Sequence, residues 1–259
     1  MIPIFDSLTH PTCDGAWLGR KGVGSFFDLH KSMEKNLYVG ACVVGLPGVG
    51  EYEHSKFARE CKKYPKMVPI AGLSLNVSSL EKELISIKDL GFRGIKIHPR
   101  YGNFDLEKDK ESIIEILNLC NKLDLIVMFC TYVANRISLM AETDPYRQLI
   151  SIIRKSPKTR IVLIHGGLYR LLEYADLARF NENIILDLSY TLLKYQGSSL
   201  DHDIKYLFRE FDRRICIGSD HPEYSLSSTR KRAEELSEGI SPEKIKNIFY
   251  RNLENFLLP

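Results

Sequence analysis

The side chains best suited to chemistry are gathered at particular places in this sequence. Four of the seven histidines, His10, His98, His165 and His221, stand just after short apolar runs, each beside another polar group. The first ends Asp6-Ser7-Leu8-Thr9-His10, the second lies in Lys96-Ile97-His98-Pro99-Arg100, the third opens His165-Gly166-Gly167, and the fourth follows Gly218-Ser219-Asp220. Cys130-Thr131-Tyr132 and Asp187-Leu188-Ser189-Tyr190 follow two further runs. Imidazole, carboxylate and thiol groups that converge suit one divalent metal, zinc foremost, because they are its ordinary ligands. Such an ion lowers the pKa of a bound water and polarises a carbonyl. In this reading His165 or Asp220 moves the proton. Lys96 or Arg100 holds an acidic group of the substrate, and Tyr190 and His221 line its pocket.

Convergence requires elements that bring these chain positions together. Eight short runs rich in Ile, Val and Leu recur along the chain: Ile2 to Phe5, Tyr38 to Val44, Val68 to Leu75, Gly94 to Ile97, Leu125 to Phe129, Ile161 to Ile164, Ile184 to Leu188 and Ile215 to Ile217. Short, nearly uninterrupted apolar runs are the pattern of strands buried on both faces. Between them lie segments with helical spacing, clearest over Asp109 to Leu123 and from Leu80 to Leu90. The second is opened by Ser78-Ser79 and ended by Gly91. Further helices are expected over Tyr146 to Lys155, Arg170 to Phe180, Leu200 to Phe211 and Ser227 to Glu238, and after Ser241-Pro242. Eight strands alternating with helices in 259 residues predict an α/β chain folded as a single (β/α)8 TIM barrel over residues 1–259, whose site lies at the C-terminal ends of the strands. A doubly wound open sheet has the same alternation, but no Gly-x-Gly-x-x-Gly follows the first run.

Side chains alternate across a strand. Lys96 and His98 therefore face the lumen, and Ile95 and Ile97 the helices. Asp6, Leu8 and His10 are expected to share one face. The bland alternative for Lys96 is an internal ion pair with Asp6 or Asp187, and for Cys130 a small buried hydrophobe. His30, His54 and His202 fall in helical patterns and are expected at the surface. Trp17-Leu18-Gly19-Arg20 falls in a loop placed to cover the site.

At these residues the sequence resembles the amidohydrolase superfamily. The nearest branch is the amidohydrolase-2 type, which includes aminocarboxymuconate semialdehyde decarboxylase and pyrone dicarboxylate lactonase. The resemblance is carried by Asp6…His10-Pro11, Gly91 to Pro99, Ile161 to Gly167, Leu186 to Ser189 and Ile217 to Pro222, with a closing helix near Ile245 to Leu257. It implies a metal-assisted hydrolase or a nonoxidative decarboxylase on a (β/α)8 barrel, acting on a small acyl, amide or lactone substrate. Matched position by position, His10, His165 and Asp220 fall on the family's site residues and Cys130 on its strand-five histidine; in the metal-dependent reading His10, Asp220 and Cys130 hold the metal, or His98 makes up the number. His165 polarises the substrate and Asp220 takes the proton from water. Two positions depart from the family pattern. Leu8 replaces the first histidine of the pair, and Cys130 stands where the strand-five histidine belongs. Metal-independent hydrolysis, and a barrel that only binds or regulates, are the other readings those departures allow.

Composition bounds the rest. With 36 Lys+Arg against 33 Asp+Glu the net charge is +3, too small to imply nucleic acid. The densest basic run, Arg230-Lys231-Arg232, is followed by acidic residues and is expected to be a solvated helix face. No apolar run is long enough for a membrane span, and MIPIFDSLTH lacks the pattern of a secretory leader. None of the six cysteines forms Cys-x-x-Cys. Buried thiols in a cytoplasmic protein are expected. The implied partner is a small-molecule substrate, with a homo-oligomer left open.

Overall fold

The computed structural model describes residues 1–132 and 144–258. Eight parallel strands form one sheet in the order β1 to β8. They are β1 (Ile4–Thr9), β2 (Tyr38–Val44), β3 (Met67–Gly72), β4 (Gly94–Ile97), β5 (Ile126–Cys130), β6 (Ile161–Ile164), β7 (Ile184–Asp187) and β8 (Ile215–Cys216). Helices lie between them, and the chain is a TIM barrel. The edges β8 and β1 meet through backbone hydrogen bonds, from Ser7 N to the Ile217 carbonyl (3.0 Å) and from Asp220 N to the Leu8 carbonyl (2.9 Å).

Alternation along the strands sorts their apolar residues into two cores. Ile95, Ile97, Val127, Phe129, Ile161, Leu163, Ile184 and Leu186 face the helices. Ile126, Met128, Val162, Ile164 and Ile185 fill the lumen with Phe5, Leu8, Cys42, Val44 and Cys216. Leu253 and Leu257, from the closing helix Asn252–Leu257, plug the lower end of that inner core. The expected inward face of Lys96 follows from this register. β1 departs from simple alternation. Its pairing with β2 shifts between Asp6 and Thr9, and Phe5 joins Leu8 in the inner core.

Caps define several helices. Ser79 Oγ accepts from Lys82 N at the start of helix Leu80–Asp89, and the Asp144 carboxylate accepts from Tyr146 N at the start of Pro145–Ile153. The helix Leu226–Leu236 corrects one expectation. Arg230 and Arg232 are each only 6% exposed, not solvated. Arg230 donates to the backbone carbonyls of Ile2, Asn36 and Leu37, while Arg232 reaches the Leu192 carbonyl and Asp201. A long stem with a five-donor head can be buried where carbonyls converge. His54 is likewise engaged, by Glu83 and the Gly72 carbonyl. Of the six cysteines, all but Cys13 are buried, and all are free thiols. Among the described residues no helix is long and apolar enough to cross a membrane.

Candidate active site

The C-terminal ends of β1, β4, β6 and β8 bring His10, Lys96, His165 and Asp220 to one mouth. His10 follows β1, and its Nδ1 lies 2.8 Å from the Val44 carbonyl at the end of β2. A carbonyl only accepts, so Nδ1 carries the proton and Nε2 presents a bare lone pair. That lone pair meets Lys96 Nζ at 3.3 Å and lies 3.5 Å from Asp220 Oδ1. Trp17, from the loop after β1, stacks on the His10 ring with centroids 5.2 Å apart. Lys96 is 1% exposed. Among the described residues no carboxylate approaches it to ion-pair distance, so the internal pairing with Asp6 or Asp187 does not form.

His165 opens a turn of unusual backbone. Residues His165 to Leu168 all have positive φ (67°, 60°, 79° and 58°). Gly167 is required there, because a Cβ would meet the Tyr174 ring at 2.1 Å. Thr131, just after β5, braces the turn by accepting from Gly167 N at 2.9 Å. His165 Nδ1 lies 3.1 Å from the Ser189 carbonyl and 3.2 Å from Ser189 Oγ. The Ser189 hydroxyl donates to Asp187, whose other oxygen accepts from Ser7 Oγ. Nδ1 is therefore the protonated nitrogen of His165 as well, and Nε2 is an acceptor. This network changes the role expected of His165. In this tautomer its free nitrogen accepts a proton or hydrogen bond and cannot donate one to an oxyanion.

Burial is the leading cause of every shift in the site. It holds His10 well below the usual imidazole range, with the Lys96 ammonium adding to the effect. It brings His165 down to about 3 and His98 to about 2, again reinforced by Lys96. All three imidazoles are neutral at pH 7. Burial pushes Asp220 up to about 8, against the pull of Lys96, and raises Asp187 and the Cys130 thiol.

The remaining sequence candidates divide. Cys130 is buried at the end of β5, with Lys96 and Asp220 among the charges it feels. Tyr190 stands at the mouth, 5.6 Å from His165 between ring centroids, and stacks on Tyr132 at 6.0 Å. His98 accepts from Arg100 N at 3.2 Å and packs edge-on against Tyr101. The Arg100 guanidinium folds over the Tyr101 ring on the exposed rim and makes no contact with the Lys96 cluster. His221 is not part of that cluster either. The charge its ring senses is Asp28, in the first turn of helix Phe26–Lys35. Sequence reasoning does not single out Ser7 or Tyr224, which packs on Tyr190 at 5.7 Å. Tyr224 has a signal, three residues beyond His221 in the same strand-end loop. Ser7 has none, because its link to Asp187 spans 180 residues.

A family profile for amidohydrolases matches residues 44–256. The chain belongs to the amidohydrolase-2 family. No curated protein matches it. Among solved structures, an uncharacterised TIM-barrel protein from Bordetella bronchiseptica is similar at 16% identity and TM-score 0.79, over 99% of this chain and 98% of that one. A probable 2-pyrone-4,6-dicarboxylic acid hydrolase from Acinetobacter baumannii, with citric acid bound, has 14% identity and TM-score 0.70, over 99% of both chains. A dihydroxybenzoic acid decarboxylase from Polaromonas sp. JS666, with bound manganese and the inhibitor 2-nitroresorcinol, has 15% identity and TM-score 0.73, over 99% and 97%. At these identities the structural likeness is one of fold.

The Polaromonas decarboxylase holds manganese, and the donors of this chain can be tested for such an ion. Leu8 has no donor atom and is packed in the inner core. The His10 lone pair that would bind an ion already faces the Lys96 ammonium. Among the described residues no three His, Cys, Asp or Glu side chains gather closely enough to hold a metal. The expected set of His10, Asp220, Cys130 and His98 is not assembled. The donor set does not fit a divalent ion.

Proposed function

We propose that this protein is a hydrolase of small acyl, amide or lactone substrates that works without a metal ion. The observation that carries the reading is the convergence of Asp220 and two imidazole lone pairs, on His10 and His165, at one mouth beside a single cation. Asp220 is the general base: it takes a proton from water as the water oxygen bonds to the substrate carbonyl carbon. With its carboxyl raised to about 8, Asp220 acts as base in its ionised form, whose share grows as pH rises towards that value. His165 Nε2, an acceptor by its tautomer, holds and orients that water. Tyr132, Tyr190 and Trp17 wall the mouth, which suits a small and partly apolar substrate. The fold neighbours named for hydrolysis and decarboxylation agree with chemistry at a carbonyl or carboxyl group.

Three residues of the mouth hold strained backbone. His165, Tyr190 and Asp220 all adopt positive φ, at 67°, 62° and 56°. Each such non-glycine residue costs about 1–3 kcal/mol and persists where the surroundings enforce it, as active sites do. The test is a panel of small esters, lactones and amides, assayed for acid release with and without chelator. The expected result is turnover indifferent to chelator and lowered about 10²- to 10⁴-fold in Asp220→Asn, with the melting temperature preserved. Full activity in Asp220→Asn, or no turnover of any substrate, would overturn the proposal.

A further inference from the structure

Lys96 occupies a position that calls for explanation. Its stem runs along the inward face of β4, and its ammonium lies beneath the mouth against a nitrogen lone pair. Ammonium has three donors. Among the described residues, His10 Nε2 is the one acceptor in hydrogen-bond range. A buried cation without a carboxylate partner is costly, and a neutral side chain of similar length would fill the same space at lower cost. The His10 ring faces the lysine with its bare nitrogen, because its one N–H is spent on the Val44 carbonyl. Two of the three N–H donors of Lys96 thus find no acceptor among the described residues.

We propose that the Lys96 ammonium stands in the place of the metal ion, as the resident cation that polarises the substrate carbonyl and holds the oxygen on which negative charge develops. Three distances carry the assignment. Nζ is 3.3 Å from His10 Nε2, that nitrogen is 3.5 Å from Asp220 Oδ1, and the opposite nitrogen of His10 is fixed 2.8 Å from the Val44 carbonyl. An imidazole so anchored cannot turn its lone pair elsewhere. An ion could take that lone pair only by displacing the lysine. When water attacks, its oxygen bonds to the carbonyl carbon and its proton passes to Asp220. The carbonyl π pair moves onto oxygen, and that oxyanion is met by the Lys96 N–H groups. When the carbonyl re-forms, the bond to the alcohol or amine breaks and the Asp220 proton leaves with it. No oxidant or other co-reactant is needed.

The catalytic half of this assignment rests on the hydrolytic reading, whereas its electrostatic half can be tested alone. The wild-type chain is incubated with zinc and with manganese, dialysed, and its metal counted by mass spectrometry. Melting temperatures are then followed with acetate and malonate, and with acetamide and malonamide as neutral controls of like shape. The expected results are no stoichiometric metal, protection by the anions, and none by the amides. In Lys96→Met the anion affinity falls about tenfold or more, turnover is lost, and the ligand-free melting temperature holds or rises. One tightly bound ion per wild-type chain would overturn the proposal. So would anion protection that survives in Lys96→Met, or its absence from the wild type. If Lys96→Met fails to fold, the two wild-type measurements decide. Anion binding that depends on Lys96, with no turnover of any substrate, would sink the hydrolytic reading and leave the cation site standing. Turnover that persists in Lys96→Met would do the reverse.

Discussion

His165 shows how much of a residue's chemistry is set by groups it does not react with. Its ring is oriented by the Ser189 carbonyl and hydroxyl, that hydroxyl is held by Asp187, and Asp187 is held in turn by Ser7. Strand ends and the loops beyond them thus decide which nitrogen is bare. Ser189→Ala removes one acceptor for Nδ1–H and one donor to a buried carboxylate. The expected cost is about 1–3 kcal/mol of stability, read by urea denaturation. Turnover should fall through kcat with KM nearly unchanged, because the ring is mispositioned and not removed. An unchanged urea midpoint would show that the chain of hydroxyls is not coupled to the fold. The spacing of Lys96 and His98 against Ile95 and Ile97 makes the inward lysine legible in the sequence. The tautomer of His165 is not legible there, since it depends on a carbonyl 24 residues away.

At the scale of elements, the alternation of apolar runs and helical spacing locates the strands to within a few residues, because β-strands buried on both faces admit little but Ile, Val and Leu. β1 is less readable. A shift in register moves side chains between faces, and nothing in Ile4-Phe5-Asp6-Ser7-Leu8 announces it. The basic run in helix Leu226–Leu236 misleads for a similar reason. Its spacing says helix, but the carbonyls that accept from Arg230 lie near positions 2, 36 and 37. Arg230 ties that helix to the start of β1 and to the turn before β2, and its guanidinium packs over the Tyr38 ring. Arg230→Met keeps most of the stem and removes the donors. It is expected to destabilise the chain by about 2–4 kcal/mol, measured as the shift in urea midpoint, with KM for any substrate unaffected. Lys231, between the two buried arginines, is exposed, and its replacement by Met should change little.

The barrel as a whole is fastened where its first and last strands meet. Asp6 accepts from Ser219 N at 2.9 Å, from Ser219 Oγ at 2.6 Å and from Leu8 N at 3.2 Å. Burial nevertheless outweighs these donors and pushes its carboxyl up to about 7. A carboxyl raised above its unfolded value binds its proton more tightly in the fold. Stability is therefore greatest below the unfolded value near 4. It declines as pH rises and is at its lowest once pH passes the folded value of about 7. About three units correspond to roughly 4 kcal/mol, and Asp187, raised in the same direction, adds to the slope. Asp6→Asn should flatten that decline between pH 4 and 8, as read from urea midpoints across the range. A slope unchanged by Asp6→Asn would place its origin elsewhere.

The fastening of the first strand to the last also bears on how the protein is made. Asp6 and Ser219 are 213 residues apart, and the same closure brings Asp220 up to His10. During synthesis the early strands leave the ribosome long before their partner exists. The barrel cannot close, and Asp220 cannot reach His10, until β8 and the turn after it have emerged. A copy truncated before β8 would lack the seam and Asp220 together. A chain that stops short of β8 is therefore expected to lack whatever depends on the meeting of Asp220 and His10.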